Sequence, residues 1–348
     1  MPKGYNLRRR VSSSLPYQLQ GENVEAISRP GVFAALSMCA SLALSLSAVA
    51  AGTESESKPQ GHYMFAWAGT ASGPGEDFIA VIDADPASAR YGELVASAPS
   101  GITTDQVHHT EYWMPDSGHL FVLASFQFEG AFHHGAGSHG DPNMEDPAAR
   151  RGAHGGLVEI DEEGRAVRAA STADSRYADS PLMAYSLLPL PDLDRVLVTN
   201  SGMRDTDPNG HTYQIFRLSD LKLLSTQPFD PGRGHYGEIN PEEARRGPDG
   251  AVYVQTVGCG VERVSDLAGN RPVSRLIYQF PGSMCGVPSL VGHYWLQPVQ
   301  LLHAIVVLDL TAPGGPKEVS RVILDGEILP HWTGYDARTQ RLAVSGYE

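Results

Sequence analysis

Cysteine, aromatic and charged residues are all scarce in this chain of 348 residues: three cysteines, 8% aromatic side chains and 19% charged ones. Few stretches carry a helical apolar period, which argues against a helical fold. Positive charge is short too, with 26 Lys and Arg against 40 Asp and Glu, a formal net charge of −14. Lys3, Arg8, Arg9, Arg10 and Arg29 against Glu22 and Glu25 make the first 50 residues +3, so the other 298 carry −17. Such a surface repels phosphate backbones and anionic lipid, which disfavours nucleic-acid binding and peripheral membrane binding. The sequence has no Walker loop, no G-x-S-x-G elbow, no H-E-x-x-H, no C-x-x-C and no C-x-x-C-H. Gly69 to Gly75 is glycine-rich without dinucleotide spacing or a following helix.

Turn-forming residues are abundant instead. Gly and Pro together number 62, about 18% of the chain, against roughly 12% in ordinary usage. They separate short apolar runs, which predicts an all-β fold. The length suits one large domain or two ordinary ones.

Residues 32–50 form an apolar, uncharged run rich in Ala and Ser, preceded by arginines and closed by Ala48-Val49-Ala50. That pattern predicts a secretory signal peptide over 1–50, a polar linker over 51–61 and a mature domain over 62–348. The other reading of the run is a membrane anchor, since about 19 residues just span a bilayer. Arg8-Arg9-Arg10 hints at twin-arginine export, but Val-Ser-Ser follows it poorly, and Met38 spoils a lipobox ending at Cys39. Cleavage implies a periplasmic or secreted protein with no stable membrane association. In that oxidising space Cys259 and Cys285 are either a disulfide, which the even pair favours, or buried thiols, or thiolate ligands of a soft metal.

The mature segment is periodic. Units begin at His109, Met183, His235, His293 and His331, each reading as a short strand, a turn and a strongly apolar strand. Runs such as Phe78-Ile-Ala-Val-Ile-Asp and Tyr213-Gln-Ile-Phe-Arg-Leu lie between them. A unit of about four strands and roughly 43 residues is a propeller blade, and 298 residues hold about seven. The expected architecture is a seven-bladed β-propeller, with a histidine-rich insertion at about 130–155 that carries His133, His134 and His139, with His154 near its end. That insertion reads as a solvated loop, or as a lid over one mouth of the channel.

Laid over one another by their turn proline, four of the five units start with His: His109, His235, His293 and His331. The first strand of each blade lines the channel, so in-phase residues form a ring. A ring of imidazoles at one mouth is a metal site; the alternative is a set of polar residues around a water column. His108 adds a ligand or a supporting partner, although neighbours on a strand face opposite ways unless a bulge intervenes. Glu111 and Glu238 follow phased histidines and are the candidate acid–base groups, or else strand-end surface carboxylates. Tyr112, Trp113, Tyr236, Tyr294, Trp295 and Trp332 read as inter-blade packing.

The segment Phe78 to Val95, containing Asp83-Ala-Asp-Pro-Ala-Ser-Ala-Arg-Tyr-Gly, and the following Val107-His108-His109 resemble the selenium-binding protein family, which includes bacterial methanethiol oxidases. Asn209-Gly-His-Thr-Tyr-Gln-Ile-Phe and Val257-Gly-Cys-Gly are similar to it as well. The resemblance implies a seven-bladed propeller, a copper site including His108 and His109, and oxidation of a small thiol by dioxygen. The family's H-T-S-H-C segment has no counterpart here, and this chain is shorter. Fe(II) is the alternative metal, because a four-histidine propeller site also resembles that of carotenoid oxygenases. The leading expectation is thus a copper-dependent oxidase of a small substrate. The alternative is a non-catalytic propeller that binds metal or scaffolds a protein partner; a lactonase-type hydrolase fits the histidine-rich axis less well.

Overall fold

The computed structural model describes residues 62–69, 76–101, 106–111, 117–125, 155–161, 164–177, 182–202, 209–232, 239–282, 284–326 and 328–347, with Pro115 and Ser180 between them. The expected signal peptide and linker, His133, His134, His139 and His154 lie outside these residues, as do His235 and Glu238.

The chain builds its sheets one after another, each antiparallel and each in sequence order. The first has three strands, β1 (Tyr63–Ala68), β2 (Phe78–Asp83) and β3 (Leu94–Pro99). The second comprises β4 (Gln106–Thr110), β5 (Leu120–Ser125), β6 (Gly156–Ile160) and β7 (Ala166–Ser171). The third comprises β8 (Ala184–Leu190), β9 (Arg195–Asn200), β10 (Thr212–Arg217) and β11 (Leu223–Pro228). The fourth comprises β12 (Pro241–Arg246), β13 (Val252–Thr256), β14 (Gly260–Ser265) and β15 (Val273–Gln279). The fifth comprises β16 (Ser289–Val291), β17 (Tyr294–Val299), β18 (Ala304–Asp309) and β19 (Lys317–Ile323). The sixth is the pair β20 (Leu329–Asp336) and β21 (Arg341–Tyr347). Among the described residues the only helical segments are three short 3-10 turns, and no helix is long and apolar enough to cross a membrane.

The second, third and fourth sheets are covered on both faces by their neighbours, which explains their sequences. Middle strands such as Val252-Tyr-Val-Gln-Thr are buried at every position, and near-continuous β-branched and aromatic runs suit that place. Outer strands such as β19 are mostly exposed. Four apolar clusters sit between successive sheets: first with second around Trp67 and Ile160, second with third around Leu123 and Phe216, third with fourth around Tyr213 and Val254, and fourth with fifth around Phe280 and Trp295. Trp295 is fully buried 6.3 Å from Tyr253 across that last seam, so it is inter-sheet packing as the sequence suggested; Tyr294 and Trp332 are instead substantially exposed.

Six sheets are seen among the described residues, not the seven that division by blade length gave. The blade count is thus not confirmed, and the stretch 126–154, which that division included, lies outside the described residues. The proline frame also needs correction. Pro189 falls within β8, Pro241 opens β12, and Pro298 falls within β17, the second strand of its sheet. Turn prolines therefore do not mark a common level.

Candidate functional site

The first strands β4, β8, β12, β16 and β20 face one cavity of about 500 Å3. A feature of their pairing recurs at one level. His108 pairs with Leu123 and Thr110 with Val122, leaving His109 as an extra residue. Ala184 pairs with Asn200 and Ser186 with Thr199, leaving Tyr185. Glu242 and Glu243 stand where β13 offers only Gln255, between the pairs Pro241–Thr256 and Ala244–Val254. Pro330 pairs with Gly346 and Trp332 with Ser345, leaving His331. Four first strands thus carry a bulge, and a bulge re-aims a side chain that the pleat would otherwise send to a fixed face.

The bulged residues meet. His109 Nδ1 lies 2.5 Å from Glu243 Oε1, and its ring stands edge-on to Tyr185 at 4.8 Å. Glu243 Oε2 accepts hydrogen bonds from Ser186 Oγ at 2.8 Å and Arg245 Nη1 at 2.9 Å. Glu242, next in the chain, accepts from Gln255 Nε2 at 2.5 Å, and Gln255 also donates to the Cys285 carbonyl at 2.8 Å. His331 Nδ1 lies 2.7 Å from Gln300 Nε2, and its ring packs edge-on to Trp332.

These environments drive adjacent carboxylates apart. Burial would raise Glu243, but His109 and Arg245 outweigh it and hold the carboxyl far below the ordinary range. Glu242, equally buried, is pushed up to about 7: burial and the Glu243 charge outweigh its bonds to Gln255 and Tyr185. Burial and the neighbouring His109 lower His331 to about 4.

Two residues beyond each bulge comes a second level, Glu111, Leu187, Arg245 and Thr333, which lines the cavity with Ser289. Glu111 Oε2 accepts the Phe121 N–H at 2.7 Å. Burial, helped by Glu159, outweighs that bond and pushes Glu111 up to about 7. Arg245 Nη1 donates to Glu243 and to the Ala244 carbonyl, so one guanidinium ties the cavity wall to the His109–Glu243 pair. Ser289 and Thr333 hydroxyls are bonded to each other at 2.9 Å.

Of the sequence-expected site, His109, His331 and Glu111 come to the axis. His108 lies on β4, with its side chain outside the described residues. His293 does not come to the axis. It occupies the turn between β16 and β17, 42% exposed, 3.9 Å from Asp309. The proline frame had equated it with a first strand, and it precedes a second one. Among the described residues no three His, Cys, Asp or Glu side chains form a group able to hold a metal. Of the expected copper or Fe(II) ring, the described residues bring two imidazoles, His109 and His331, to the axis, while the side chain of His108 and all of His235 lie outside them. Cys259 and Cys285 form a disulfide, with Cα atoms 5.0 Å apart.

Sequence reading missed Tyr185, Ser186, Glu242, Glu243, Arg245, Gln255 and Gln300. Its available signal was Pro241-Glu-Glu-Ala-Arg-Arg, four charges on one short strand, which no exposed strand of a packed sheet requires. The segment that carries the family resemblance is structural. Asp83 caps its own turn, accepting from Asp85 N at 3.0 Å and Ser88 Oγ at 2.7 Å, and Gly92 at φ +82° closes it.

No family model and no curated protein sequence matches this chain. Solved structures do. The periplasmic gluconolactonase of Pseudomonas aeruginosa is 14% identical over 79% of this chain and 72% of its own, with a TM-score of 0.53. A putative 6-phosphogluconolactonase of Bacteroides fragilis is 10% identical over 82% and 81%, with a TM-score of 0.51. A hypothetical selenium-binding protein of Sulfolobus tokodaii is 12% identical over 82% of each chain, with a TM-score of 0.42. At these identities the likeness is one of fold, and the class is that of distant β-propellers of varied function.

Proposed function

We propose that this chain is a small-molecule enzyme working by acid–base chemistry in the axial cavity. Glu111 is its proton-moving group, and the His109–Glu243 pair, tied in through Arg245, is the charged frame behind it. The observation that carries the reading is a half-buried carboxyl raised to about 7 on the wall of a cavity about 500 Å3 in volume. A general acid or base works best when its pKa lies near the working pH. Ser289, Thr333 and Leu187 give the cavity two hydroxyls and an apolar wall, which suits a small, partly hydroxylated substrate.

Two substrate chemistries come first to the bench: a sugar lactone, which the names of the structural neighbours suggest, and a small thiol with dioxygen, which the family resemblance suggests. The test compares wild type with Glu111→Gln. The expected result is turnover on one of them that falls about 10²- to 10⁴-fold in kcat, with KM little changed. Its pH profile should carry a limb near 7 that the variant lacks. Turnover indifferent to Glu111→Gln, or none on either chemistry, overturns the reading.

The copper-dependent oxidase is a second reading, favoured by one observation. A buried carboxylate on Nδ1 of His109 fixes that imidazole ring, as in carboxylate–histidine–metal sites. His331, held neutral, stands nearby. Copper bound there would bring dioxygen chemistry to the same cavity. Metal content after copper loading and dialysis separates the readings. About one ion per chain, lost in His109→Ala/His331→Ala, establishes copper; no retained ion leaves the acid–base reading alone. The leader makes the periplasm or the exterior the proposed location of either enzyme.

A further inference from the structure

A second depression, of about 390 Å3, lies at the outer edge of the third sheet, away from the axis. Its floor is β11, the edge strand, whose Ser225 and Gln227 line it. One wall is Arg176 and Tyr177 from the 3-10 turn at Ser175–Tyr177; the other is Asn270 and Arg271 from the turn between β14 and β15.

The groups here are unbalanced. Ser225 is 3% exposed and its hydroxyl has no hydrogen-bond partner. A buried polar group left unbonded opposes folding, so its presence calls for an occupant. Thr226, its neighbour, is satisfied, since its Oγ1 donates to Asp174 and accepts from Gln214. Arg176 spends Nε and Nη2 on the two Asp174 oxygens, which leaves that pair neutral. Arg271 forms no hydrogen bond or ion pair with a described residue, so the depression keeps one net positive charge on a chain of formal charge −14. Its uncommitted groups are a guanidinium, two amides and the Ser225 and Tyr177 hydroxyls, a set dominated by donors. The acceptor oxygens of Asp174 are already occupied.

We propose that this depression binds an oxyanion group, the end of a small carboxylated, phosphorylated or sulfated ligand. Arg271 is the charge partner and Ser225 a donor from the floor. Guanidinium forks match the planar and tetrahedral oxygens of such groups. The site shares no residue with the axial cavity and does not depend on the acid–base reading.

The test is thermal unfolding of the whole protein in sodium phosphate, sulfate or acetate, each matched for ionic strength with sodium chloride. A ligand that binds only the folded state raises Tm with its concentration. Wild type is expected to gain in at least one oxyanion beyond the chloride control. Which of the three acts identifies the class of group. Arg271→Ala should abolish the gain. Ser225→Ala should weaken binding several-fold while raising the ligand-free Tm, because it removes the unbonded hydroxyl. Glu111→Gln should keep the gain in full. A gain matched by chloride, or equal in Arg271→Ala, overturns the proposal. A ligand-free Tm that falls in Ser225→Ala also counts against it, since the hydroxyl would then be serving the fold.

Discussion

Glu242 and Glu243 are adjacent in the chain, both buried and on one strand, yet the structure treats them oppositely. Partners decide the matter. Glu243 pairs with an imidazole, a guanidinium and a hydroxyl, whereas Glu242 has an amide and the Tyr185 hydroxyl beside its own charged neighbour. The two give opposite pH signatures. Glu242 is raised from 4.5 to about 7, so its ionisation costs nothing below pH 4.5 and destabilises the fold increasingly as pH rises to 7. Glu243 is lowered, so its stabilisation is present above 4.5 and is lost as pH falls below that value. Urea unfolding between pH 2 and pH 8 checks both. Glu242→Gln should gain on wild type as pH rises from about 4.5 to 7 and hold that gain above 7, since a Gln oxygen still accepts from Gln255. Glu243→Gln should be strongly destabilised at pH 7 and converge on wild type toward acid pH. Parallel curves for either variant would contradict the assignment. Glu111 was legible in the sequence because it follows His109 by two on a strand. Glu243 was not, because its partner lies on another sheet more than a hundred residues away.

Bulges are the device at the scale of the element. A regular strand sends alternate side chains to opposite faces, and the sequence reading of His108 and His109 rested on that rule. Inserting one residue in β4, β8, β12 and β20 breaks the alternation at one level, and there His109, Tyr185, Glu243 and His331 face the axis. The fifth first strand contributes differently. The segment leading into β16 runs close against β20, with Val287 N–H donating to the His331 carbonyl at 2.6 Å. Gly286 makes this approach feasible, since a Cβ there would lie 2.2 Å from His331 O and 2.6 Å from its Cα. Gly286→Ala must push β20 away, and over-packing of this kind costs about 1–3 kcal/mol or more. The variant should lose at least that much stability by urea unfolding, and axial turnover with it. Gly326→Ala, where a Cβ meets nothing within 4 Å, should change stability by less than about 0.5 kcal/mol. Equal effects at the two glycines would refute the close approach.

Across the whole molecule, apolar seams join the first five sheets in succession, and one covalent link joins the fourth to the fifth. Cys259 sits in the turn between β13 and β14, and Cys285 opens the segment that supports Gln255 and His331. The link spans 26 residues and is buried at both ends. Replacing both cysteines by serine should cost about 3 kcal/mol in the chain-entropy view. Axial turnover should fall further than overall stability suggests, because the Cys285 carbonyl holds Gln255. A double variant as stable and as active as wild type would show that the seams alone fix this junction.

The sequence by itself determined the all-β class, the sheet-by-sheet repeat, the cysteine pair and the part of the axial chemistry that lies on β4. Alternation, turn residues and apolar runs are local, and each sheet forms from consecutive strands. It did not determine which repeats share a level, because that follows from bulges in the pairing between strands and leaves no fixed spacing. The histidine ring was read in a proline frame, and the structure kept His109 and His331 while placing His293 in an outer turn. Only the tertiary structure decided that a carboxylate, a tyrosine and two imidazoles meet at one level, with a carboxyl near 7 on the cavity wall. Their partners come from five strands distant in sequence, and burial and charge act through space.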